Sequence, residues 1–234
     1  MKLDNATVLI TGANRGIGLA FAKAALARGA RKVYAGARDP ASVSLPGVTP
    51  LRLDVNAPGD IAAAVAQASD VNLVINNAGI AQFGGFLDTD AEARLRRQLE
   101  TNVFGVMRVS QAFAPVLAAN GGGALLNVAS IASWITSPAL AGYALTKSAA
   151  WSLSNGLRHE LRGQKTQVLT LHMAFVDTDM TQGIDAPKST PEQIVARALD
   201  ALEAGAEEVL ADELTQQVKL GLSAHPGVYL QARE

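Results

Sequence analysis

Cysteine is absent from the 234-residue chain, which excludes disulfides and thiolate metal sites. Aromatic residues are scarce at 5%, although 49% of residues are hydrophobic. The core must therefore be built from Ala, Val, Leu and Ile, a composition that suits a parallel sheet covered by Ala-rich helices. A dominant charge is also missing: the formal net charge is -1, and no long basic run argues for a nucleic-acid partner. The histidines, His159, His172 and His225, are scattered without metal-ligand spacing and read as structural or surface residues, so no metal is expected. No apolar run approaches the length of a membrane span, and MKLDNATVLITG leads straight into a strand without a leader pattern. The expectation is a cytoplasmic protein without a membrane partner, folded as a single domain over 1–234.

What is present begins with strand, glycine turn and helix in immediate succession. Ala6 to Thr11 is a short apolar run, Gly12-Ala13-Asn14-Arg15-Gly16-Ile17-Gly18 follows, and Leu19 to Gly29 reads as an Ala-rich helix. Exposed N–H groups at such a helix start, together with the helix dipole, favour a pyrophosphate. The glycines permit the tight turn, the close approach of a cofactor and the packing of helix on strand. Lys32 to Ala37 is the second strand. It ends in Ala37 and Arg38, where an acidic residue would hold a ribose 2′-hydroxyl and an arginine suits a 2′-phosphate. Arg15 in the glycine loop is expected to converge on the same place, so NADP(H) is expected over NAD(H). Asp39 competes, but Pro40 indicates that the chain has already turned away.

Residues 39 to 47 are too broken by proline and glycine for a full helix, so the second crossover is abbreviated. The third strand is read as Thr49 to Val55, with Asp54 and Val55 at its end and Asp54 able to accept from an adenine amino group. Ile61 to Ala68 is a short helix. Val71 to Asn76 is a strand delivering Asn76-Asn77-Ala78-Gly79, small residues that let backbone pass close to a cofactor while the amides tie strands together. Ala91 to Ala119 reads as one long helix carrying Asn102 and Gly105, kinked or interrupted at Pro115. The strand ALLNVAS ends at Ser130, Gln167 to His172 is the sixth strand, and Glu207 to Leu210 a final one. The segment 181–190, with Gly183 and Pro187, is a possible substrate lid, and 212–234 is a divergent C-terminal tail.

Ser130, Tyr143 and Lys147 lie in one stretch, SIASWITSPALAGYALTK. Tyr143 and Lys147 share a helix face at i and i+4. A phenol titrates near 10 (about) when free, and an ammonium beside it is expected to lower that value towards the range useful for acid–base work. Ser130 would offer its hydroxyl to the same substrate oxygen.

The fold class that follows is α/β, a doubly wound parallel sheet in three α/β/α layers, the Rossmann fold, with its ligand beyond the strand C-termini. With these motifs in this order, residues 5 to 180 resemble the short-chain dehydrogenases/reductases. The resemblance implies that Tyr143 is the general acid that protonates a carbonyl oxygen, and that Ser130 orients that oxygen. It implies that Lys147 depresses the Tyr143 pKa and holds the nicotinamide ribose, and that Asn102 holds a water of a proton relay. Gly12, Asn14, Arg15, Gly16, Ile17, Gly18, Arg38, Asp54, Val55, Asn77, Ala78, Gly79, Tyr143, Lys147, Val176 and Thr178 would contact the cofactor. The implied activity is reversible reduction of a ketone or aldehyde to an alcohol, by a homodimer or homotetramer. Met173-Ala174 departs from the family's usual Pro-Gly, while Val176-Asp177-Thr178 matches its carboxamide and pyrophosphate contact. An NADP(H)-binding sensor and a sugar-nucleotide epimerase or dehydratase are the competing readings. The chain is short for the last of these. Ile131, Trp134, Phe83, Phe86 and Phe175 suggest a largely apolar substrate.

Overall fold

β1 (Thr7–Thr11) is buried along its whole length, and its alternation divides the interior in two. Val8 and Ile10 face one side of the sheet and Leu9 the other. The same division recurs in β4 (Leu73–Asn76), β5 (Ala124–Val128) and β6 (Gln167–His172). There Leu73, Ile75, Leu126, Leu169 and Leu171 join one core, and Val74, Leu125 and Val168 the other. Strands covered on both faces have to be apolar on both. The structure, a computed structural model, describes residues 1–231.

Helices α1 (Gly16–Ala27) and α6 (Pro191–Glu203) cover the first face with Phe21, Ala25, Ile194, Leu199 and Leu202. On the second face, α2 (Pro58–Gln67), α4 (Val106–Ala119) and α5 (Ala141–Leu161) contribute Ile61, Phe113, Leu117, Leu157 and Leu161. With β2 (Lys32–Ala37), β3 (Thr49–Arg52) and β7 (Glu208–Leu210), one parallel sheet runs in the order β3-β2-β1-β4-β5-β6-β7. The chain leaves β1 in one direction and returns to β4 on its other side. That reversal opens a crevice beyond the ends of β1 and β4. The doubly wound α/β reading therefore holds, and the second crossover is reduced to one 3₁₀ turn, Pro40–Ser42.

Two boundaries differ from expectation in ways that matter to the site. β3 stops at Arg52, which leaves Asp54 and Val55 in the loop beyond it. The long helix is interrupted by a π-helical turn, Glu100–Gly105, between α3 (Ala91–Leu99) and α4, and it continues through Pro115. Pro115 and Gln111, whose carbonyl it leaves unpaired, are both exposed, so water can take that oxygen. Gly105 marks the real break: a Cβ there would lie 2.7 Å from Val55 Cγ2. The tail begins with α7 (Glu213–Gly221), capped by Asp212. It continues to a 3₁₀ turn at Val228–Leu230, and residues 232–234 lie outside the described residues. No helix among the described residues is long and apolar enough to cross a membrane.

Candidate active site

The glycine loop turns at Gly12 (φ 67°) and Gly16 (φ 53°), both in the left-handed region that favours glycine. At Gly18 the constraint is contact: a Cβ would lie 2.1 Å from the Gly12 carbonyl oxygen and 2.6 Å from Asn77 Nδ2. The N-cap position of α1 is Arg15, whose side chain makes no capping bond, and no acidic residue occupies the first turn. The helix therefore opens with main-chain donors and a positive dipole end facing the crevice.

Thr11 ties this loop to the next. Its Oγ1 accepts from the main-chain N–H groups of Asn77 and Ala78, each at 3.0 Å. Asn77 Nδ2 in return donates to the carbonyls of Thr11 (3.0 Å) and Gly12 (3.2 Å). Beneath them Asn76 Nδ2 donates to Asn127 Oδ1 at 2.9 Å, and Asn127 Nδ2 donates to Ser154 Oγ at 2.9 Å. The amides thus tie β4, β5 and α5 together, as expected of the NNAG segment. The share carried by Thr11 was not visible in the sequence, where it reads only as the last residue of a strand.

Asn102 lies in the π turn. Its side chain accepts from Ile80 N–H at 2.8 Å, and its Nδ2 donates to the Ile80 carbonyl (2.8 Å) and to Thr146 Oγ1 (3.0 Å). The amide is committed to joining the loop after β4 to α5. Gly79 lies under it, with space for a Cβ limited by Asn102 Oδ1 at 3.3 Å and Lys147 Nζ at 4.0 Å.

Along α5 the buried stripe Lys147, Ala150, Ser154, Leu157, Leu161 packs on the sheet, and Tyr143 stands one turn before it at the crevice end. Lys147 Nζ donates to the Val128 carbonyl at 2.8 Å and lies 5.6 Å from the centre of the Tyr143 ring. Ser130, just beyond β5, has its Oγ accepting from Ala132 N–H at 3.1 Å. These groups gather as the i, i+4 spacing and the strand end required. Their electrostatics differ from expectation. Burial pushes the Tyr143 phenol up to about 12, and the Ser130 hydroxyl only partly offsets that. Burial likewise pushes Lys147 down to about 8. Desolvation thus sets the direction of both shifts, and the group that lowers the phenol is the Ser130 hydroxyl rather than the Lys147 ammonium.

Arg15 pairs with Asp179 at 2.8 Å across the mouth of the crevice, both groups being exposed. Arg38 is exposed at the end of β2. Asp39 has turned away as anticipated, its Oδ1 accepting from Ala41 N–H at 3.0 Å. Asp54 spends Oδ1 on Asn56 N–H at 2.9 Å. After β6 the chain loops back on itself: Asp177 N–H donates to the Ser189 carbonyl (2.9 Å) and Ser189 N–H to the Phe175 carbonyl (3.0 Å). Thr178 approaches the glycine loop, 3.4 Å from where a Gly16 Cβ would be. Met173-Ala174 is accommodated by Asp212, whose Oδ2 accepts from Ala174 N–H at 2.7 Å. Phe86 and Trp134 line an open cavity of about 340 Å³ with Ala144, Leu145 and Tyr229. Ala144 and Leu145 lie about 100–200° round α5 from Tyr143, so this is a different face of the helix. Among the described residues no group of three or more His, Asp or Glu side chains could hold a metal.

The glycine loop, the uncapped α1 terminus and the Gly79 cradle fit a dinucleotide. Comparison with known proteins points the same way. A family model described as short chain dehydrogenase matches residues 6–189. The chain is 35% identical over 191 residues to galactitol 2-dehydrogenase (L-tagatose-forming) of Cereibacter sphaeroides, covering 77% of this chain and 75% of that protein. It is 31% identical over 202 residues to carbonyl reductase (NADPH) 2 of Sus scrofa, covering 84% and 82%. A short chain dehydrogenase from Burkholderia cenocepacia, solved in complex with NADP, superposes with a TM-score of 0.92 at 35% identity over 97% of this chain and 96% of that one.

Proposed function

Because the chain belongs to the short-chain dehydrogenase family, we propose that it is an NADPH-dependent oxidoreductase reducing a ketone or aldehyde carbonyl to an alcohol, with Tyr143 as general acid. The observation that carries this reading is the gathering of Ser130, Tyr143 and Lys147 at the crevice end of β5 and α5, beside the uncapped start of α1. The bound nicotinamide would supply the hydride. Gly12 to Gly18 and the α1 terminus would hold its pyrophosphate, Gly79 and Lys147 its ribose, and Val176 and Thr178 its carboxamide end.

With its pKa near 12, Tyr143 is protonated through neutral pH and is set up to give a proton rather than take one. A carbonyl oxygen placed between Tyr143 and Ser130 would receive the phenol proton as charge develops on it, while the Ser130 hydroxyl fixes its direction. Lys147, held near 8 by burial, carries its charge below that pH and loses it above. The ammonium favours the phenolate that forms as the proton leaves. The reductive kcat/KM is therefore expected to be flat up to about pH 8 and to fall beyond it, where Lys147 is neutral. A profile still rising through pH 9 (about) would contradict that role for Lys147.

The preference for NADPH is supported by Ala37 and Arg38 in place of an acidic strand end, and by Arg15, whose exposed partner Asp179 is easily exchanged. Arg38→Ser is expected to weaken NADPH by about 10- to 100-fold, the value of a charge-assisted bond, and to leave NADH unchanged. Steady-state kinetics with both cofactors test this. An equal loss for both would remove Arg38 from the 2′-phosphate site.

A further inference from the structure

His172 ends β6 with no solvent exposure at all (0%). Its Nδ1 lies 3.0 Å from the main-chain oxygen of Ser130. A carbonyl oxygen can only accept, so Nδ1 carries the hydrogen and Nε2 is the bare nitrogen. Nε2 is buried and has no hydrogen-bond partner. Glu208 Oε1, 3.6 Å from it, is itself an acceptor. A leucine or phenylalanine would fill this space without burying an unsatisfied nitrogen. What the imidazole adds is the bond it does make, to Ser130.

The ring is braced on every side. It stacks on Trp134 with centroids 4.2 Å apart and planes at 24°, and Trp151 meets it edge-on at 6.5 Å. Lys219 Nζ lies over both indoles, 4.5 Å from Trp134 and 5.2 Å from Trp151, and pairs with Glu208 at 3.0 Å. The charged groups facing the imidazole are Glu208 from β7, Lys219 from α7 and Lys147 from α5, and burial holds the ring neutral, near a pKa of 4. Segments far apart in sequence thus meet around one hydrogen bond.

The target of that bond also accepts from Ser133 N–H at 3.0 Å, and Ile131 N–H of the same peptide donates to the Met173 carbonyl at 2.8 Å, so His172 is the side chain that completes the hold on this peptide. Ser130 is extended (φ -171°, ψ 163°) and is followed by the turn Ile131–Ser133. Rotation about ψ swings its carbonyl relative to Cα–Cβ, so fixing the carbonyl fixes the direction from which Oγ is presented. Oγ itself accepts from Ala132 N–H at 3.1 Å, makes a long approach of 3.5 Å to the Met173 carbonyl, and meets the Tyr143 hydroxyl.

Resting on the reductase reading above, we propose that His172 is a positioning residue: its Nδ1–H fixes the Ser130 carbonyl and so aims the Ser130 hydroxyl at the substrate oxygen, with Glu208 and Lys219 of the C-terminal segment bracing the ring. The test compares His172→Phe, which keeps the stack on Trp134 but has no donor, with His172→Asn, whose amide N–H can stand where Nδ1–H does. Three quantities are read: kcat with NADPH and a carbonyl the wild type reduces, NADPH affinity by titration, and the Ser130 carbonyl carbon shift by NMR. His172→Phe is expected to lower kcat by about 10- to 100-fold and move the Ser130 shift with NADPH affinity unchanged, and His172→Asn to restore most of both. Unchanged kcat in His172→Phe overturns the proposal, as does an equal loss in both variants. Nitrogen NMR of the wild-type imidazole decides the matter even where a variant does not fold. The Nδ1–H tautomer is expected, and Nε2–H would overturn the proposal. If the wild type reduces no carbonyl, the reductase reading fails separately, while the tautomer and the Ser130 shift still show whether His172 holds Ser130.

Discussion

Tyr143→Phe is expected to lower carbonyl reduction by about 10²- to 10⁴-fold, the range for removing a general acid, while NADPH binding stays within about twofold. The phenol sits at the crevice end of α5, with its pKa raised to about 12 by burial. Only the Ser130 hydroxyl offsets that shift. Within the described residues the Tyr143 hydroxyl meets the Ser130 hydroxyl, so phenylalanine removes that contact alone and should leave the cofactor cradle in place. The measurement is kcat with saturating NADPH, set beside a fluorescence titration of the cofactor. Loss of binding in step with loss of rate would show that Tyr143 serves the cofactor site rather than the proton transfer.

Gly18→Ala is expected to have the largest effect on the cofactor itself. The new Cβ would stand 2.1 Å from the Gly12 carbonyl oxygen and 2.8 Å from its carbon, both backbone atoms. No rotamer change relieves that contact, so either the loop or α1 must shift. A displacement on the order of 1 Å at a preorganised site costs about 10²-fold, and NADPH affinity is expected to fall by that much. Overpacking of this kind also costs about 1–3 kcal/mol of stability, a lowering of about 2–12 °C in Tm. Gly59→Ala is the control. It lies in α2 where a Cβ meets nothing within 4 Å, so it should bind normally and melt slightly higher. Normal NADPH affinity in Gly18→Ala would contradict the contact on which the nucleotide reading of this loop rests.

The parts of the site legible in the sequence are those whose chemistry is local. Strand, glycine turn and helix start are contiguous in residues 7 to 27, so the cradle follows from neighbours alone. Tyr143 and Lys147 are likewise fixed relative to each other by one helix. Long-range features were not legible. The π turn at Glu100–Gly105 holds a glycine that the sequence does not mark as a break, and Pro115, the expected site of interruption, is passed without one. Gly105 matters through Val55, which lies on another element. Asn102 came from family resemblance, and its attachment to Ile80 and Thr146 shows only in three dimensions. Arg15 reads as a phosphate ligand from its loop, yet in the fold it meets Asp179. His172 read as a scattered structural histidine, because its partners Ser130, Trp134, Glu208 and Lys219 approach only when the sheet forms. The balance of pKa shifts was illegible for the same reason. Spacing shows that an ammonium is near a phenol, but only burial shows that desolvation sets the direction of both shifts.

The central claim is tested most directly by following NADPH oxidation through its absorbance, with aliphatic, aromatic and cyclic ketones offered in turn and NADH run in parallel. Turnover of at least one carbonyl, faster with NADPH than with NADH and lost in Tyr143→Phe, is the expected result. Tight NADPH binding with no carbonyl reduced anywhere in the panel would contradict the reductase assignment.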